Sequence, residues 1–285
     1  MKIVIPMAGT GNRFVERGYK DPKPLIKVNG KRIIEYILDM FDRKNDEFVF
    51  ICNSVHLETT NMRSVLEELV PNATIVSMPQ HKLGPVYTVQ TVYDMIDDDE
   101  EVIISYCDNP HLWNRDDFHA KMTNGDFDGC VLTHTGFHPH TLAHTKMAFV
   151  KGSDGVLDEI KEKACYTNNP LNEHASTGVY YFKKGSYIKK YFDQAVKENI
   201  QYNGEFYVTL VYNLLVRDGL KVGYYDTPFV TVFGTPEEVQ NFEAWVTILN
   251  GGQCKTATDA AAAFDYWKKY HLAAKQDLLK ETVIR

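Results

Sequence analysis

Two hydrophobic rhythms alternate along the first half of the chain. Apolar, largely β-branched runs at residues 2–6, 47–52, 73–78 and 101–107, each bounded by glycine or polar turns, predict buried strands. Between them the spacing turns helical. Ile33, Ile34, Ile37, Leu38 and Phe41 share one face of residues 32–42, and further helices are expected over residues 57–69 and 85–96. In the second half, strands are expected at 127–134, 146–151, 176–182 (bent at Gly178), 221–225 and 229–233. Helical patterns cover residues 113–122, residues 187–199 with Ile188, Tyr191, Phe192 and Val196 on one stripe, and a segment starting within 203–211. Strands alternating with helices predict an α/β fold with right-handed crossovers, a mostly parallel sheet and a ligand crevice at the carboxyl ends of its strands. Thr235, Pro236 and Glu238 read as N-cap, first helical residue and capping-box partner of a late helix. Residues 1–245 form the main domain in this reading. Residues 246–285 are a helical extension with Phe264, Trp267, Tyr270 and Leu272 as anchors, suited to docking on the body or on a second copy as a homo-oligomer.

Composition narrows the function. With 31 basic against 38 acidic residues the formal charge is −7, which argues against a nucleic-acid partner, since such proteins usually carry a basic face. The five cysteines are scattered without C-x-x-C spacing, and three lie in strand-like apolar runs, as expected of free thiols in a reducing compartment. No charged segment followed by an apolar run opens the chain, and no apolar run is long enough to span a membrane, so a cytoplasmic location is expected.

The chemistry concentrates at the start. Met7, Ala8, Gly9, Thr10 and Gly11 follow the first strand, and glycines there let backbone N–H groups approach an anion closely. Arg13 adds a planar fork of donors suited to phosphate oxygens. Lys23 stands between Pro22 and Pro24, whose fixed φ angles stiffen the segment that aims its ammonium. The dinucleotide-binding fingerprint is incomplete: Phe14 follows the two glycines where a third is needed, and Cys52 and Asn53, not a carboxylate, end the second strand. Asp108 follows the strand at 101–107, where a crevice must open, and Mg2+ is commonly held by one or two carboxylates plus substrate phosphates. The alternative for Asp108 is a cap on the helix at 113–122. Residues 134–144 carry histidines at 134, 138, 140 and 144; a proline interrupts them and no cysteine or carboxylate accompanies them, so an exposed or substrate-facing loop is expected in preference to zinc.

Gly9, Gly11 and Arg13, then Pro22-Lys23-Pro24-Leu25 and Gly30-Lys31, together resemble the opening pattern of the nucleotidyltransferases that make nucleoside-diphosphate sugars, including their cytidylyltransferase relatives. The resemblance covers about residues 2–245. It implies a Rossmann-like three-layer sandwich with a mixed central sheet of the nucleotide-diphospho-sugar transferase type. It also implies an Mg2+-dependent reaction between a nucleoside triphosphate (CTP, dTTP or UTP in preference to a purine nucleotide) and a phosphorylated acceptor, most commonly a sugar 1-phosphate, for surface polysaccharides. In that reading Arg13 and the glycine loop hold the β- and γ-phosphates, Lys23 the α-phosphate and Asp108 the metal. Gln80 and Gly84 sit where similar chains read the base. Lys163 of the Glu162-Lys163 pair would meet the acceptor phosphate, with Lys161 competing one register away, and Thr177, Gly178 and Glu205 would line the acceptor pocket. The pattern breaks where an Asp often follows the threonine of G-E-x-x-x-T, here Leu210, for which Glu205 is one substitute. It breaks again two residues before Gly234, often acidic and here Val232. A cytidylyltransferase for a non-sugar phospho-metabolite, a glycosyltransferase of similar architecture, which would use a D-x-D pair where this chain has only Asp108 with His111 nearby, and a silent nucleotide-binding subunit are the rival functions.

Overall fold

The computed structural model describes residues 1–142 and 146–249. Its centre is a sheet of nine strands: β1 (Lys2–Met7), β2 (Glu47–Asn53), β3 (Thr74–Met78), β4 (Val102–Ser105), β5 (Gly129–His134), β6 (Phe149–Ser153), β7 (Val156–Lys161), β8 (His174–Phe182) and β9 (Val222–Asp226). Across the sheet they run 3-2-1-4-8-5-9-7-6. Seven point one way and β7 and β8 the other; the pairings among β1 to β4 are parallel, but five of the nine pairings are antiparallel because β7 and β8 insert between like-directed strands, so the sheet is mixed and less parallel than expected. β1 pairs with β2 on one side and with β4 on the other, and the chain reverses its order there. This is the switch point at which α/β sheets open a crevice beyond the strand ends.

Alternation within each strand builds the three layers. Val4, Val49, Ile51, Val102 and Ile104 pack on one face, under helices Pro85–Gln90, Gly185–Lys197 and Val208–Arg217. Their neighbours Ile3, Ile5, Phe48, Phe50 and Ile103 pack on the other, under Ile33–Leu38, Met62–Leu69 and Arg115–Asn124. Strands buried on both faces read as continuous apolar runs, which is why β1, β2 and β4 are legible in sequence. A third cluster of Phe14, Ile26, Val28, Ile33, Phe233 and Val239 ties the amino-terminal loop to the final helix, Pro236–Leu249.

Several elements differ from the expected bounds. The helix expected at 57–69 is two, Ser54–Thr59 and Met62–Leu69, separated where Thr60 takes an extended backbone. The one expected over 85–96 stops at Gln90, and a 3-10 turn follows at Tyr93–Met95. The segment at 203–211 opens on a tight reversal at Asn203 and Gly204, both with positive φ (51° and 82°), and the helix begins only at Val208. The final helix starts at Pro236 with the Glu238 N–H donating to Thr235 Oγ1 at 3.2 Å, as its capping pattern predicts, and continues through Trp245 to Leu249. Of the helical extension expected over 246–285, residues 250–285 lie outside the described residues. Cys52, Cys107 and Cys130 are buried and Cys165 is exposed. Among the described residues no helix is long and apolar enough to cross a membrane.

Candidate active site

A cleft of about 460 Å3 opens over the carboxyl ends of β1 and β4. Its first wall is the amino-terminal loop. Ala8, Gly9 and Thr10 line it, and nothing lies within 4 Å of where a Gly9 side chain would begin, so the loop presents bare backbone there. Gly11 contributes the turn, not the wall: its φ of 65° starts the short helix Asn12–Val15, which sends Phe14 into the third cluster and Arg13 toward the cleft. Met7, expected in the loop, is the last residue of β1 with its side chain in the core.

Lys23 and Asp108 meet on the cleft floor. Lys23 begins a 3-10 turn, Lys23–Leu25, directly after Pro22, and its Nζ donates to Asp108 Oδ2 at 2.7 Å, with the side chains 22% and 21% exposed. Burial pulls the Lys23 pKa down, but the charge and hydrogen bond of Asp108 together with Cys107 outweigh it and the net shift is upward, so the ammonium stays charged throughout the neutral range. Asp108 does not cap the next helix. Asn114 does, accepting from the Asp117 N–H at 3.0 Å. His111, the residue near Asp108 where a D-x-D pair would have a second acid, is buried with Nδ1 at 3.3 Å from the Asn109 carbonyl and is not part of the cleft wall.

Glu238, read from sequence only as a capping residue, is in the wall beside Asp108. Its Oε2 lies 3.2 Å, and Asp108 Oδ2 3.6 Å, from the point where a Cβ on Gly234 would stand. The missing side chain therefore leaves a cradle between two carboxylates. Such hard oxygen donors suit Mg2+, whose remaining positions substrate phosphates and water would fill. The signal that could have found Glu238 is the break in the resembled pattern at Val232, an apolar residue in the same wall.

The far wall gathers the residues expected on the acceptor side. Glu162 follows β7 and is nearly buried, with Thr209 Oγ1 donating to its Oε2 at 2.6 Å. Burial raises its pKa, and the Thr209 bond and the Lys163 charge oppose that rise. Lys163, at φ 54°, donates from Nζ to the Tyr207 hydroxyl at 2.6 Å and lies 4.5 Å from the Tyr207 ring centre. Lys161 instead lies over Tyr166, outside the wall, so of the two lysines Lys163 is the one that borders the cleft. The Asn203-Gly204 reversal delivers Glu205 to the cleft.

Gly178, at φ 81°, interrupts the β8 register against β5, and its Cβ would stand 2.8 Å from Asn109 Nδ2; the bend puts this stretch in the wall.

Other expected residues fall elsewhere. Thr177 is fully buried and its hydroxyl donates to the Leu132 carbonyl at 3.2 Å, because the pleat turns it away from the cleft that Gly178 faces. Gln80 is exposed and outside the wall. His81 lines it, held by Thr88 Oγ1 at 2.9 Å and by the Leu83 N–H at 3.1 Å. Gly84 is in the wall, packed closely against the next segment: a Cβ there would stand 2.7 Å from the Phe206 backbone nitrogen. Leu210, on a helix, is not in the wall. The histidine segment is not an exposed loop. His134, His138 and His140 are 3%, 6% and 2% exposed, with ring centres 4.5 to 5.9 Å apart, and none lines the cleft. His138 accepts the Val230 N–H at Nδ1 and approaches the Thr135 carbonyl through Nε2, so it fastens the segment to its neighbours. His144 lies outside the described residues.

Known proteins resemble this arrangement. The profile of the MobA-like NTP transferase domain matches residues 3–161. The bifunctional protein GlmU of Alkaliphilus metalliredigens is 25% identical over 230 residues, 79% of this chain and 46% of that protein, and that of Clostridioides difficile 23% identical over 229 residues, 78% and 46%. The chain thus spans about half the length of these curated relatives. A nucleoside-diphosphate-sugar pyrophosphorylase from Vibrio cholerae superposes with a TM-score of 0.67 at 23% identity over 85% of this chain and 99% of that one. An inositol-1-phosphate CTP transferase from T. maritima gives 0.64 at 16% over 89% and 98%. At these identities the two structures establish a shared α/β fold.

Proposed function

The chain belongs to the family of MobA-like NTP transferase domains, and from that premise we propose that it condenses a nucleoside triphosphate with a phosphorylated acceptor, most commonly a sugar 1-phosphate, releasing pyrophosphate. The product is an activated donor of the kind used to build surface polysaccharides. The observation that carries this reading is the convergence of Arg13, Lys23, Asp108 and Lys163 on one cleft.

In the reaction an acceptor phosphate oxygen forms a bond to the α-phosphorus while the bond to the β-bridging oxygen breaks. Near neutral pH a phosphate monoester is mostly dianionic, so no side chain has to remove a proton. The protein's part is alignment and charge neutralisation. Arg13 and the bare loop at Ala8 to Thr10 suit the β- and γ-phosphates, Lys23 the α-phosphate, and Lys163 the acceptor phosphate at the opposite wall. Asp108 and the carboxylate beside it would hold Mg2+, which when bound offsets triphosphate charge. CTP, dTTP and UTP are the nucleotides of choice, as in the sequence reading.

A second reading is cytidylyl transfer to a non-sugar phospho-metabolite. It is supported by the acceptor wall, where Tyr106, Tyr180 and Tyr207 stand with Glu162 and Glu205, a mixture of rings and carboxylates not restricted to a polyol, and by the fold likeness to the inositol-1-phosphate CTP transferase. Incubation with each common nucleoside triphosphate, Mg2+ and a panel of phosphorylated sugars and alcohols separates the two by the acceptor that is consumed, and a parallel incubation with nucleoside-diphosphate sugars tests for glycosyl transfer. Pyrophosphate released only with an acceptor supports transfer; nucleoside diphosphate released from a donor sugar, or no turnover at all, refutes it.

Removing Lys163 takes away a charge-assisted phosphate contact. Lys163→Ala is expected to raise the acceptor KM by about ten- to a hundred-fold while leaving the KM for the nucleotide nearly unchanged. Steady-state kinetics in both substrates checks this, and equal rises in both KM values would contradict it.

A further inference from the structure

We propose that Glu238 is the second carboxylate of the divalent-ion site whose first is Asp108, taking the part that the apolar Val232 cannot. The inference rests on the nucleotidyltransferase reading above and extends it to a residue that the sequence marks only as a helix cap.

Three observations converge. The first is the space at Gly234. No positive φ obliges a glycine at this position, yet a side chain would begin 3.2 Å from Glu238 Oε2 and 3.6 Å from Asp108 Oδ2, wedged between the two acids. The glycine keeps open a gap bordered by oxygens, and a divalent ion prefers such borders.

The second is the setting of Glu238. A capping glutamate ordinarily sits at an exposed helix start, whereas this one is 2% exposed and forms part of the cleft wall. Thr235 holds it in place through Oγ1, 3.1 Å from Oε2, and the adjacent Val239 anchors the helix in the cluster with Phe14 and Phe233. The carboxylate is therefore pre-positioned, and a cation in the gap would lower the cost of burying it.

The third is Val232, 6% exposed in the same wall and without a donor atom. The loop before the helix and the helix itself both reach the gap, so an acid can be supplied from either. In this chain the helix supplies it.

The test is Mn2+ binding to the whole chain, followed by electron paramagnetic resonance of the free ion, so that turnover is not involved. Glu238→Gln keeps the side-chain volume and a hydrogen-bonding group for Thr235. It is expected to weaken Mn2+ binding by at least the ten- to hundred-fold loss that outer-shell changes already cause. Val232→Asp in the Glu238→Gln background is expected to recover most of that loss, which a purely structural role for Glu238 does not predict. Asp108→Asn loses binding in either case. If Glu238→Gln binds Mn2+ like the parent while Asp108→Asn does not, the inference is wrong and the transferase reading stands. If neither substitution matters, or the parent binds no Mn2+, the metal centre itself is misplaced.

Discussion

Lys23→Ala is expected to lower the rate of pyrophosphate release by about 10²- to 10³-fold, the loss typical of removing one donor aimed at charge in a transition state. The loss should appear mainly in kcat, because the α-phosphate gains its extra charge only as the new bond forms. Lys23 is suited to this part. It is held by a proline-flanked 3-10 turn on the cleft floor, and it remains an ammonium at every pH the enzyme meets because Asp108 together with Cys107 outweighs the effect of burial. It therefore cannot act as a general acid, and its titration should leave no mark on the pH profile. Without nucleotide it neutralises Asp108 at 2.7 Å, so the alanine variant should also bind divalent ions more tightly than the parent while turning over more slowly. Near-normal turnover would exclude the mechanism.

The second large effect concerns stability and pH. His134 and His111 are buried, and burial, reinforced at His134 by the neighbouring His140 and His138, pushes their pKa values down to about 2 and about 4. Asp226 beside His134 and the Asn109 carbonyl beside His111 pull the other way without reversing the shift. In the unfolded chain both would titrate near pH 6.5. The unfolded state therefore binds more protons below that value, and the stability present above pH 6.5 is lost as the pH falls toward the folded values. At pH 5.5 each histidine removes about 1.4 kcal/mol, roughly 3 kcal/mol together, a large part of an ordinary folding free energy. Chemical denaturation at pH 7.5 and pH 5.5 measures the difference. His134→Met, which keeps the volume and removes the titration, should recover about half of it, and a parent stability that does not change over this range would refute the assignment.

These histidines also show where the sequence was opaque. Their spacing and the proline among them suggested an exposed or substrate-facing loop, but burial there is decided by the distant residues that cover them, such as Val230 and Phe229. The parallel strands were legible because residues buried on both faces leave an uninterrupted apolar run, and the amino-terminal loop because its glycines, Arg13 and Lys23 are close in the chain. Thr177 was misplaced for a local reason. A strand presents consecutive residues to opposite faces, and nothing short of the register said which of Thr177 and Gly178 faces the cleft. The choice of Lys163 over Lys161 has the same origin, since it depends on where β7 ends. Glu238 was hidden by having an adequate local explanation. Its capping geometry is real, and only the folded chain shows that the same carboxylate borders the gap at Gly234.

The central claim is tested most directly by a crystal structure with a non-hydrolysable nucleoside triphosphate, Mg2+ and a phosphorylated acceptor. The account predicts the triphosphate against Ala8 to Arg13, its α-phosphate on Lys23 Nζ with the ion between it and Asp108, and the acceptor phosphate on Lys163. A nucleotide bound elsewhere, with Arg13 and Lys23 left facing solvent, would contradict it.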